Sequence, residues 1–169
     1  MPDCSFPIVR LVRPLRLEDF SGLHRFCGRI EPVTGGAAQA IAALAASQGP
    51  LTAGGHAFSG PGLLDELTSR PGRRVSAWLA WHDAEPTRPP SPLGLVALVA
   101  AGHGERVRHS IAWLLVDPRD RRRGVGTALV NVALDAAARA GGTEVWVETH
   151  AGWPAATAFW QQLGFGVRE

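Results

Sequence analysis

The sequence predicts an α/β fold of the α+β kind: a single domain, residues 1–169, with a mixed, mainly antiparallel sheet flanked by helices. Three observations predict it. The length is that of one domain, and no internal repeat or interdomain linker interrupts it. Strand-like runs at 73–82, 93–101 and 109–116 follow one another with no helix between them, which makes a meander rather than a series of β–α units. The last of these runs passes through a glycine-rich junction straight into a helical pattern at 124–140.

The elements follow in order. "PIVRLV" (7–12) is a first strand, stopped by Pro14. Residues 17–30 place Leu17, Phe20, Leu23, Phe26, Cys27 and Ile30 at helical spacing. An alanine-rich helix with glycine at both ends spans 35–49, and a glycine-rich loop spans 49–62 with a short helix after it at 63–69. "RRVSAWLAWH" (73–82) is a strand, and "DAEPTRPPSP" (83–92) is a proline-rich excursion, because proline does not sit inside a central strand. "LGLVALVAA" (93–101) is the next strand, and "GHGERVR" turns the chain into "HSIAWLLV" (109–116). The helix 124–140 is closed by Gly141-Gly142. "TEVWVET" (143–149) is rich in β-formers, and Pro154 opens a last helix to Leu163.

Composition narrows the function classes. Hydrophobic residues are 46% and charged residues 19%, an ordinary globular balance. The net charge of +2 is too small by itself to imply nucleic acid, and no aromatic interleaving or basic stripe accompanies the arginines. All 17 basic residues are arginine and tyrosine is absent, as in a genome biased against those codons. Cys4 and Cys27 form neither a metal spacing nor a disulfide framework, and the six histidines are scattered, so no metal is expected. The N-terminus lacks the apolar core of a signal peptide, and no apolar stretch is long enough to span a bilayer. A cytoplasmic location without membrane contact is expected.

The chemistry concentrates at "VDPRDRRRGVGTALV" (116–130). A helix N-terminus carries unpaired N–H groups and partial positive charge. Gly124 and Gly126 have no side chain to block an approaching anion, so the amides of Arg123, Gly124, Val125, Gly126 and Thr127 are placed to cradle a pyrophosphate. Arginines on the lip add charge-assisted hydrogen bonds. A Walker loop requires lysine where Thr127 stands, and a dinucleotide fingerprint requires glycine where Leu129 stands. Both are excluded.

What remains is Arg-x-x-Gly-x-Gly, here Arg121-Arg122-Arg123-Gly124-Val125-Gly126, after Val116-Asp117-Pro118. It resembles the acyl-CoA site of the GNAT superfamily of N-acyltransferases. "TEVWVETHAGWPAATAFWQQLGF" (143–165) is also similar to that superfamily, with Ala156, Leu163, Gly164 and Phe165 at matching places. Residues 110–165 look most like the ribosomal-protein N-terminal alanine acetyltransferases, in which a glutamate sits where Glu148 stands. The resemblance implies acetyl-CoA in a cleft where strands 109–116 and 143–149 splay apart, bound by Leu114, Leu115, Val116, Arg121 to Thr127 (Arg121, Arg122, Arg123, Gly124, Val125, Gly126, Thr127) and Trp153.

Two positions depart from the family. Trp153 stands in place of its asparagine, and Trp160 in place of the tyrosine that contacts the CoA sulfur and protonates it. An indole N–H donates a hydrogen bond but not a proton. A thiolate with a conjugate-acid pKa near ~8.5 is a tolerable leaving group, so the loss slows transfer rather than abolishing it. Trp160 is either this leaving-group residue or plain packing beside Phe159; Trp153 caps the acyl pocket or covers the helix start. After Phe165 only "GVRE" follows, so a shortened C-terminal strand is expected, with the edge of the 143–149 strand covered in another way, for instance by the partner subunit of a homodimer.

The implied reaction is acetyl transfer from acetyl-CoA to a primary amine, of a small molecule or a protein N-terminus, by direct attack in a ternary complex. A protonated amine needs a base. Strand 109–116 holds no acid, which leaves Glu148, either as that base or as a salt-bridged strand-end carboxylate, with His150 and His109 next. A backbone N–H near Leu115 and Val116 would hold the oxyanion. The acceptor is expected against residues 24–62 and the 83–92 loop. The alternative is a non-catalytic acyl-CoA-binding module of the same fold.

Overall fold

A computed structural model describes residues 7–15, 26–48, 51–53, 56–58, 60–82, 91–103 and 106–168. In chain order the elements are β1 (Ile8–Pro14), β2 (Arg29–Pro32), α1 (Ala38–Ser47), β3 (Leu51–Ala53), β4 (His56–Phe58), α2 (Gly60–Glu66), β5 (Arg73–Trp81), β6 (Pro92–His103), β7 (Arg106–Val116), α3 (Val125–Arg139), β8 (Glu144–His150), α4 (Pro154–Gln162) and β9 (Gly166–Val167). The main sheet runs β2-β5-β6-β7-β8-β1-β9, and β3 pairs with β4 apart from it. It is the expected mixed, mainly antiparallel sheet: among the described residues only β7 and β8 are parallel neighbours.

β6 explains the layering. Leu93 through Val99 are all buried, and at Gly94 an added Cβ would lie 2.7 Å from the Leu115 carbonyl oxygen. A strand buried on both faces needs an apolar run rather than alternation. On one face Val96 and Leu98 join Val125, Leu129, Ala133 and Leu134 of α3. On the other, Leu95 joins Ile41 and Leu44 of α1 and Leu63 of α2.

The meander is joined more tightly than the sequence suggests, because β6 runs on to His103 and β7 starts at Arg106. β6 opens on Pro92, a first-residue place where the missing N–H costs no ladder bond; residues 83–90 lie outside the described residues. The helix expected over 17–30 is corrected at its end. Residues 16–25 lie outside the described residues, and Arg29–Pro32 is a strand on β5. Its alternation is that of a strand: Ile30 packs on the core, while Arg29 and Glu31 pair with each other at 2.9 Å outside it. The 49–62 loop contains β3 and β4, paired from Leu51↔Phe58 to Ala53↔His56. α2 begins three residues early, with Pro61 in the first turn, where a missing N–H is tolerated.

The edge of β8 is covered by the chain itself. β1 pairs with it antiparallel over its whole length, from Ile8↔His150 to Pro14↔Glu144. β9 is indeed a two-residue stub, and it adds to β1 through Leu11↔Val167 and Val12↔Gly166. A partner subunit is therefore not needed at that edge, and the reason the sequence offered for a homodimer falls away.

β7 and β8 stay paired for only three positions, His109↔Val145, Ser110↔Trp146 and Ile111↔Val147. The register between β6 and β7 shifts at the same level: Leu98 faces Ile111 and Ala97 faces Trp113, leaving Ala112 as an extra residue. A bulge bends the strand that carries it. Beyond it, residues 112–116 follow β6 and part from 148–150, opening the splay.

Candidate active site

The turn after β7 is built around Asp117. Its side chain is buried and accepts hydrogen bonds from the Arg119 backbone N–H at 2.9 Å and from Arg119 Nε and Nη2 at 3.0 and 2.9 Å. Those Arg119 bonds and the guanidinium charge hold its carboxyl at about 2, against the upward push of burial. Asp117 N–H donates to the Leu93 carbonyl, and the Asp117 carbonyl accepts from Asp120 N–H, closing a 3-10 turn over Pro118–Asp120. Asp120 in turn accepts from Arg123 at 3.1 Å, with His82 Nε2 at 3.8 Å.

The chain then enters α3 through two left-handed residues, Arg122 (φ 64°) and Gly124 (φ 83°). Glycine takes this conformation without strain, and at Gly124 nothing lies within 4 Å of an added Cβ. The first helical bond is Ala128 N–H to the Gly124 carbonyl, so the amides of Val125, Gly126 and Thr127 precede the helical ladder. Gly126 serves a different purpose: its added Cβ would lie 3.4 Å from Phe159 and 3.5 Å from Val116, so it lets α4 and the tip of β7 close on the start of α3.

The three arginines of the motif are all exposed but differ in their partners. Arg123 pairs with Asp120. Arg121 turns toward the tip of β7, where Nε donates to the Val116 carbonyl at 3.3 Å and Nη2 to Gln48 Oε1 at 3.0 Å. Backbone groups alternate edges along a strand. Since Asp117 N–H bonds to β6, the Leu114 and Val116 amides face away from β6, toward the gap, while Leu115 is buried toward α1.

Along β8 the alternation places Val145, Val147 and Thr149 in the core and Glu148 on the opposite face, exposed. Arg10 of β1, directly opposite in register, donates to Glu148 at 2.9 Å. His150 ends the strand, and Trp153, 48% exposed, sits at the N-cap of α4 with its ring edge-on to His150 at 5.0 Å. Trp160 points elsewhere. It is 5% exposed and stacks edge-on between Phe159 and Phe165, each at 5.2 Å. His109 lies at the closed, paired end of β7, buried against Gly142, and burial lowers its pKa.

The open end of the β7–β8 gap thus gathers Leu114, Val116, the 117–127 turn, Glu148, His150 and Trp153, and leaves Trp160 and His109 in the packing. Sequence reading missed Asp117 as the organiser of the turn, Phe159 as the contact of α4 with α3, and both Gln48 and Arg10. Asp117 carried a local signal, an aspartate two residues before an arginine at a Pro-led turn. Gln48 and Arg10 carried none, since they arrive through tertiary pairing. No helix among the described residues is long and apolar enough to cross a membrane.

Comparison with known proteins agrees with this geometry. The sequence model of the acetyltransferase (GNAT) family matches residues 52–165. No curated protein matches the chain. Among solved structures, a functionally unknown conserved protein from Staphylococcus epidermidis superposes with a TM-score of 0.65 at 12% identity, over 96% of this chain and 59% of its own. A tandem GNAT protein from the clavulanic acid biosynthesis pathway has a TM-score of 0.70 at 16% identity, over 97% of this chain and 51% of its own. An aminoglycoside 6′-N-acetyltransferase from Acinetobacter haemolyticus has a TM-score of 0.64 at 19% identity, over 83% and 92%. The chain therefore spans between half and three-fifths of the length of the first two. These likenesses are of fold, and none singles out the ribosomal-protein subgroup.

Proposed function

Because the chain belongs to the acetyltransferase (GNAT) family, we propose that it transfers an acetyl group from acetyl-CoA to a primary amine by direct attack in a ternary complex. The observation that carries this reading is the parting of β7 and β8 after Ile111↔Val147, with the start of α3 at the mouth of the gap. The residues fit the substrate. The amides of Val125, Gly126 and Thr127 supply donors for a pyrophosphate at the positive end of a fifteen-residue helix. Gly124 leaves the approach clear, and Arg122 and Arg123 add charge beside it. Leu114 and Val116, with backbone groups turned to the gap, suit the amide-bearing arm of CoA.

In this reading Glu148 takes the proton of the amine. It stands at the open end of β8, on the face of the sheet that α1 and α2 also occupy, and Arg10 fixes its carboxylate. The neutral amine attacks the thioester carbonyl, and the developing oxyanion is held by a gap-facing amide of β7, Leu114 or Val116. The C–S bond then breaks, the thiolate leaves, and the nitrogen gives up its second proton to solvent. Trp160, buried between two phenylalanines, keeps a packing role, and the thiolate departs unassisted. Trp153, exposed beside His150, is placed to cover the acetyl end of the cleft.

Two observations favour a second reading, an acyl-CoA-binding module without turnover: the chain contains no phenol, and Glu148 is already ion-paired. Release of free thiol from acetyl-CoA over a panel of amines separates the two. Amine-dependent thiol release supports the enzyme, and CoA binding with no release on any amine supports the module.

A further inference from the structure

Gln48 caps the C-terminus of α1, 68 residues before the tip of β7, yet its side chain is built into that tip. Its Nε2 donates to the Val116 carbonyl at 3.2 Å, and its Oε1 accepts from Arg121 Nη2 at 3.0 Å. Arg121 Nε donates to the same carbonyl at 3.3 Å, closing a ring of three hydrogen bonds. The carbonyl needs these donors because it faces the gap, where β8 has already parted from β7. The post that carries Gln48 is firm: Ile41, Leu44 and Ala45 of α1 are buried against Leu79, Leu95 and Leu115 of the sheet.

Arg121 is therefore held toward α1 rather than left on the lip of the anion cradle. It is also the extended residue, φ −64° and ψ 156°, directly before the left-handed passage that aims the α3 amides. A turn with two positive φ angles at Arg122 and Gly124 has a direction set by where it starts. We infer that Gln48 is a positioning residue for acetyl-CoA binding, locking Arg121 and the Val116 carbonyl so that the α3 amides meet the pyrophosphate. This rests on the acetyl-CoA reading above. It also ties the cofactor loop to α1, within the region expected to meet the acceptor.

The test is a double-mutant cycle read by calorimetric titration with CoA, using the wild type, Gln48→Met, Arg121→Met and the double variant, with melting recorded for each. Methionine keeps the length of Gln48 and removes both bonds to the β7 tip, together with those that Nε2 donates to Ser47 Oγ and the Leu44 carbonyl within α1. Gln48→Met should weaken CoA about 3- to 30-fold. The double variant should bind no worse than the weaker single variant, because both remove the same lock. In turnover, the KM for acetyl-CoA should rise while kcat at saturation holds, which a general loss of stability would not produce. Gln48→Asn, too short to bridge, replaces Gln48→Met if the latter does not fold, with the same expectations. Wild-type binding with unchanged or tighter binding by the Gln48 variant overturns this inference alone, as do losses that multiply in the double variant. Failure of the wild type to bind CoA overturns the acetyl-CoA reading together with it.

Discussion

Replacing Gly124 by glutamate puts a carboxylate where the structure has open space at the positive end of α3. Gly124→Ala isolates the backbone cost: at φ 83° any residue with a Cβ is strained by about 1–2 kcal/mol, and no neighbour lies within 4 Å to add a clash. Glutamate adds its charge to that shared strain. At the start of a helix this charge favours the fold by about 0.3–1 kcal/mol, so Gly124→Glu should melt no lower than Gly124→Ala. A pyrophosphate in the cradle reverses the sign. One phosphate charge about 5 Å from the carboxylate is repelled by about 0.8 kcal/mol at the dielectric of water and about 3.3 kcal/mol at an effective value near 20. Binding of CoA should then be weaker than in Gly124→Ala by between about 4-fold and about 250-fold, and the difference should shrink as salt is raised. Calorimetric titration of the two variants at two salt concentrations, with melting curves beside it, measures every term. Equal affinity in the two variants would refute the placement of the pyrophosphate at this helix start.

Three further outcomes are expected. Glu148→Gln keeps shape and removes proton acceptance, so turnover at pH 7 should fall about 10²-fold or more with CoA affinity retained; a wild-type rate would return Glu148 to its ion pair with Arg10. Trp160→Tyr should lower stability by roughly 1–3 kcal/mol with no gain in kcat, since the indole lies between Phe159 and Phe165; a rise in kcat would show that a phenol there reaches the leaving sulfur. Acid should destabilise the fold through two lowered pKa values. His109 binds its proton less readily folded than unfolded, so stability is full above 6.5 and declines as pH falls below it. Asp117, held at about 2 against 3.8 unfolded, adds a second loss between those values. Chemical denaturation of the wild type and His109→Gln from pH 8 to 5 checks the first limb, which the variant should lack.

The local elements were legible in the sequence because their signals are local. The apolar run 93–101 announced a strand, and β6 is that strand, buried on both faces in the fold. Gly124, Gly126 and Gly141 bracketed α3 because a left-handed turn, a close helix approach and a helix end each demand a residue without a Cβ, and that demand shows in the residue itself. The strand–turn–helix at 116–127, which frames the candidate site, was legible from those glycines and the apolar run before them. Pro61 and the two-residue alternation of 29–31 were equally local, but a stronger helical pattern upstream and the glycines around 49–62 masked them.

Partnership was decided only by the tertiary structure. Nothing in "IVRLVRP" says that it will lie against residues 144–150, because a backbone ladder bonds any sequence to any other and the choice of neighbour depends on which edge remains open when the helices have packed. That choice brought Arg10 to Glu148 and removed the need for a second subunit at this edge. The bulge at Ala112 follows from the mismatch of β7 with β6, a property of two strands together, and it sets where the cleft opens. The side of a helix on which a residue falls also depends on its partner, so Trp160 entered the core while Phe159 met α3. Side chains such as Gln48 gain a role only when folding sets a carbonyl without a strand partner in front of them.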